Sequence, residues 1–140
     1  MLAGLLAVTA CGTSATERFK ARYAAAQAPL NRTFADIANT FTHAKGKTTA
    51  EIAGSLTALA DRFHRQLAPL EALKPPAPVA TAFRTLTGGL DRMERDLRAT
   101  SSAVKGRDLV AAHDALASLQ RDAGAATRAA SAVTHTLNHK

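Results

Sequence analysis

Apolar residues recur at spacings of three and four along four successive stretches of the chain, which puts them on one face of a helix each time. The first stretch carries Phe19, Tyr23, Ala26, Leu30, Phe34, Ile37 and Phe41; Pro29 falls inside it, where a missing N–H predicts a kink. The second carries Ile52, Leu56, Leu59, Phe63, Leu67 and Leu70, with Pro69 near its end. It opens on Thr48-Thr49-Ala50-Glu51, in which Thr48 and Glu51 can satisfy each other's free backbone donors. The third has the most regular stripe: Val79, Phe83, Leu86, Leu90, Met93, Leu97, Thr100 and Val104. Gly88-Gly89 in its middle predicts a close backbone approach or a local bend. The fourth runs through Leu109, Ala112, Leu116, Leu119, Ala123, Ala126, Ala130, Val133 and Leu137, with an alanine-rich second half suited to tight packing.

Three short breaks separate these stretches. His43 to Lys47 turns at Gly46, Lys74-Pro75-Pro76-Ala77-Pro78 is stiff with Pro78 suited to a new first turn, and Ser101 to Asp108 turns at Gly106. Helices with one apolar stripe are stable only when they share a core, and short connections make sequence neighbours antiparallel. The expected fold is all-α: an up-down-up-down antiparallel four-helix bundle over residues 17–140.

Composition agrees. Alanine is the commonest residue, leucine and arginine are also good helix formers, Trp is absent, and five Phe and one Tyr are the only aromatics, so helix formers outweigh strand formers. A chain of 140 residues holds one core. Charge adds something the pattern does not: the net charge is +7, from 12 Arg and 6 Lys against 11 acids. A basic balance suits anionic lipid, acidic polymers or nucleic acid. Nucleic acid is disfavoured, because no helix-turn-helix signature appears and the aromatics sit on apolar stripes rather than among the basic residues.

The segment before the first helix has its own character. Leu2 to Ala10 (LAGLLAVTA) is a short apolar run ending in small residues, too short to span a bilayer and suited to the apolar region of a signal peptide. No Lys or Arg precedes it. Cys11, the single cysteine, follows directly, so no internal disulfide can form. Val8-Thr9-Ala10-Cys11 resembles the lipobox of bacterial lipoproteins, with an aliphatic residue three positions before the cysteine and small residues between. That resemblance implies a signal peptide over residues 1–10, diacylglyceryl transfer to Cys11, acyl chains such as palmitate, and cleavage after Ala10. Residues 11–16 then read as the lipidated cysteine and a flexible tether. Together with the Ala-rich helical body, these features resemble small actinobacterial lipoproteins, and Leu70-Glu71-Ala72-Leu73-Lys74-Pro75-Pro76 looks like a joint seen in such helical proteins. The resemblance implies anchoring to the outer face of the cytoplasmic membrane through covalent lipid, and carries no activity.

Candidate chemistry is sparse, and no catalytic residue or cofactor is assigned. His135 and His139 share a helical face and could hold a metal given a third ligand. Met93 on an apolar stripe raises haem ligation, but His64 and His113 each lie one residue off a stripe, C-x-x-C-H is absent, and a gap-filling core methionine is the simpler reading. A metal- or haem-binding exported bundle is therefore the alternative reading. Asp61 to Arg65, Asp91 to Arg95 and Glu94 to Arg98 are expected as i,i+4 pairs on solvated helix faces. His113 and Asp114 are consecutive and are expected to point apart. Arg18, Lys20 and Arg22 follow the anchor closely and suit anionic headgroups. Alternating helices put the first and third breaks together at the far end, bringing Lys45, Lys47, Lys105 and Arg107 to one basic pole beside His43. Such a pole is either ordinary loop solvation or a surface for an acidic partner, such as a wall polymer or an envelope protein.

Overall fold

The structure is a computed structural model that describes residues 14–139. Four helices occur among these residues: α1, Ala15–Thr42; α2, Thr49–Glu71; α3, Ala80–Lys105; and α4, Leu109–Asn138. A single 3₁₀ turn, Ala77–Val79, leads into α3, with proline in its first positions as the Pro78 pattern implies. Helix α1 starts inside the stretch expected to be tether. The Ser14 hydroxyl accepts from the Glu17 N–H at 3.1 Å, so a side-chain cap makes Ala15 and Thr16 helical. At α2 both halves of the expected capping box form: Glu51 N–H donates to Thr48 Oγ1 at 3.2 Å, and Thr48 N–H donates to Glu51 Oε2 at 2.7 Å.

Helix α1 runs unbroken through Pro29. The Thr33 hydroxyl, four residues on, lies 3.3 Å from the Pro29 carbonyl and 2.7 Å from Gln66 Oε1, which ties α1 to α2. Helix α1 packs on α2, α2 on α3, and α3 most extensively on α4. In each pair one residue number rises as its partner's falls: Thr33 with Gln66 and Asp36 with Arg62, then His64 with Glu94 and Thr57 with Ser101. Gly89 against Ala126 and Arg92 with Asp122 continue the pattern on α3 and α4. The helices therefore alternate in direction.

The expected stripes form the core. Leu56, Phe63 and Leu97 from α2 and α3 are fully buried, as is Val133 from α4, and Phe34 meets Phe63 edge-on at 5.4 Å. Phe19, Tyr23 and Phe83 form a second ring cluster near the start of α1. The glycine pair has two different environments. A Cβ on Gly89 would sit 3.5 Å from Ala126 Cβ, so α3 and α4 approach closely there, whereas Gly88 meets only the end of Arg92.

Three further expectations fail. Leu109, placed on the α4 stripe by spacing, is 83% exposed: the α3–α4 register sets it level with Gly106, beyond the last turn of α3. Asp61 pairs with Arg98 of α3 at 2.9 Å rather than with Arg65, because the α2–α3 seam brings the two together. Asp91 lies against Glu71 rather than forming the expected pair with Arg95. Glu94 to Arg98 does form, at 3.0 Å.

Candidate functional site

Alternation gives the bundle two poles. The start of α1, the α2–α3 joint and the end of α4 lie at one; the turns 43–48 and 106–108 lie at the other. With helices of 23 to 30 residues, the poles are about 40 Å apart. All four basic candidates, Lys45, Lys47, Lys105 and Arg107, are exposed at the second pole. None of them is in an ion pair among the described residues. The nearby acids are otherwise engaged. Asp108 caps α4 by accepting from Ala111 N–H at 2.9 Å, and Glu51 accepts from Thr48. The Thr48 backbone and hydroxyl, with Lys47 contributing, hold the Glu51 carboxyl below its ordinary range.

The turn that carries Arg107 is unusual. Asp108 N–H donates to Ala103 O at 3.0 Å and Arg107 N–H to Val104 O at 3.1 Å, the hydrogen-bond pair of a Schellman motif. That motif places its left-handed residue where glycine is favoured. Here Gly106 stays right-handed at φ −76 and Arg107 takes φ 56. A non-glycine residue there costs about 1 kcal/mol or more. The first turn, by contrast, gives its positive φ of 83 to Gly46. Sequence reading missed a further feature of this pole: Leu109 and Val110, 83% and 74% exposed, are the large hydrophobic residues left in solvent among the described ones. Spacing places Leu109 on the buried stripe, and only the helix register reveals the pair as overhanging.

Along the opposite seam, α1 and α4 face each other across an apolar groove. One stretch, of about 540 Å³, is lined by Leu30, Phe34, Leu90 and Ala130 and ends near His135 and His139. A second, of about 430 Å³, shares Phe34 and Thr127 and continues past Met93 to Leu116. At one end of this seam Tyr23 is 3% exposed, and burial pushes its hydroxyl up to about 12, tempered by Thr134.

The other candidates are dispersed. The His135 and His139 rings lie 4.2 Å apart, and no group of three or more His, Cys, Asp or Glu able to hold a metal occurs among the described residues. His64 Nδ1 lies 3.0 Å from Glu94 Oε2, on the solvated α2–α3 face. His113 Nδ1 comes within 3.7 Å of Asp114, closer than consecutive positions suggested, and both are exposed on α4. Two carboxyl pairs cross helix seams: Glu71 with Asp91 and Asp96 with Asp122, where burial first and the facing carboxylate second raise Glu71 and Asp96 above their ordinary values. Cys11 and the lipobox residues Val8, Thr9 and Ala10 lie outside the described residues. No helix among the described residues is long and apolar enough to cross a membrane. No protein family, curated protein or solved structure matches the chain.

Proposed function

We propose that this chain is a lipid-anchored envelope protein with a non-enzymatic binding role, held to the membrane through Cys11 and presenting its basic pole to an acidic partner. The anchor rests on the Val8-Thr9-Ala10-Cys11 resemblance. Cys11 precedes the Ser14 cap by three residues, so an anchor there holds the pole at which α1 begins. The binding role is supported by one observation above the rest: Lys45, Lys47, Lys105 and Arg107 reach the same pole, exposed and without ion pairs, while the acids beside them cap helices. Ordinary solvation accounts for lysines in loops. It does not account for an arginine held in a left-handed turn next to an available glycine, a conformation whose cost suggests a role for the side chain.

An acidic polymer meeting this pole should bind more weakly as salt screens the charges. The test replaces the four residues by Ser and leaves Arg84, Arg92, Arg95 and Arg98 in place. Binding to an isolated anionic wall polymer is then compared at low and high salt. Loss of salt-sensitive binding in the variant is the expected result; equal binding by both proteins would place the partner elsewhere.

A further inference from the structure

The exposed pair Leu109 and Val110 opens α4 two residues after Arg107 and four after Lys105. Two large aliphatic side chains that remain in water at one end of the bundle mark a contact surface when they form part of a wider patch. Here the surroundings are cationic. Lys105 and Arg107 come from the same turn, and Lys45 and Lys47 come from the neighbouring turn of the same pole, all exposed. A soluble acidic polymer would use the charges and leave the aliphatic pair wet. An interface with an apolar layer beneath an anionic one would use both, since cations stay at the headgroups while aliphatic groups reach below them.

We infer that this pole docks on an anionic lipid bilayer, with Lys45, Lys47, Lys105 and Arg107 at the headgroups and Leu109 and Val110 inserted beneath. This rests on the acidic-partner reading above and narrows the partner to a bilayer surface. The contact is separate from the anchor, which belongs to the pole about 40 Å away. The geometry favours shallow insertion: the pair occupies the first turn of α4, where Asp108 caps the helix and no neighbouring helix covers the side chains.

The chain has no Trp, so one introduced there reports alone. The full 140-residue chain carrying Cys11→Ser, which removes any lipid at that site, is prepared with Val110→Trp at this pole or Thr81→Trp at the other. Each is mixed with vesicles of phosphatidylcholine alone or with one third phosphatidylglycerol, with and without bromine on the acyl chains. The expected result is a blue shift and bromine quenching of the indole in the Val110→Trp protein on the anionic vesicles only, with the Thr81→Trp emission unchanged. Adding the four Ser replacements should weaken that binding by about 600-fold at low salt, at about fivefold per basic residue. Circular dichroism confirms that the variants are folded. If the indole of the Val110→Trp protein remains in water on vesicles while the four-Ser variant still loses wall-polymer binding, the bilayer inference fails and the acidic-partner reading stands. If the four-Ser variant binds polymer and vesicles as the parent does, both fail.

Discussion

Truncating two leucines on the same stripe of α3 should give unequal losses, because they border different kinds of space. Leu90 and Leu97 are 2% and 0% exposed, seven residues apart on one helix. Leu97→Ala removes a side chain enclosed in the closed part of the core, and the void left behind has no outlet. Leu90 lines the groove between α1 and α4, a space of about 540 Å³ that already exists, so Leu90→Ala enlarges a solvent-accessible channel rather than creating a sealed cavity. Leucine-to-alanine losses span about 2–5 kcal/mol and grow with the residual cavity. Leu97→Ala therefore belongs near about 4.5 kcal/mol and Leu90→Ala near about 2.5 kcal/mol. For a domain of this size about 1 kcal/mol moves the melting temperature by about 4 °C, giving drops of about 18 °C and about 10 °C. Urea titrations followed by circular dichroism of the helical signal would measure both directly. Equal losses, or a larger loss at Leu90, would refute the reasoning and show that α1 and α4 close on each other in solution.

Arg107→Gly should stabilise the fold by about 1 kcal/mol, since glycine accepts a φ of 56 without strain, while weakening binding to an anionic polymer; a thermal melt and a binding titration on one sample would show the two effects running in opposite directions. The Asp96 carboxyl, raised by burial and by the facing Asp122, favours its protonated form in the folded state. Its contribution is complete below the unfolded value, about pH 4, and is lost as the pH climbs through the raised one. Asp96→Asn, which imitates the protonated acid, should leave stability at neutral pH equal or higher and flatten that part of the pH profile in denaturant melts; a less stable variant at neutral pH would show that the carboxylate is needed there.

The fold was legible because the apolar period in all four stretches is helical and the breaks are short. Burial follows the stripes residue by residue at Leu56, Phe63, Leu86 and Leu97. The capping box at Thr48 was legible because it depends on neighbours three apart. What was not legible depends on register between helices. Spacing assigns Leu109 to a stripe, but only the length of α3 decides whether anything faces it. The pairing of Asp61 with Arg98 is set across the seam, 37 positions away in sequence, where a local rule favours Arg65. The pole's basic residues could be grouped by counting reversals of direction. The strained backbone of Arg107 could not, since a glycine beside it is the ordinary candidate for a left-handed residue. The groove between α1 and α4 escapes sequence reading for a related reason. Their stripes are as apolar as the others, and only the packing of α1 on α2 rather than on α4 leaves the seam open.

Everything proposed about the orientation of this molecule depends on the first segment, so the most direct measurement is the fate of Cys11. Expressed in a bacterial host fed an alkyne-tagged palmitate, the chain and its Cys11→Ser variant are compared for label and for partition between membrane and soluble fractions. Label and membrane association in the parent, both absent from the variant, is the expected result. Identical partition of the two without label on either would contradict lipid anchoring, and with it the assignment of the α1 pole to the membrane.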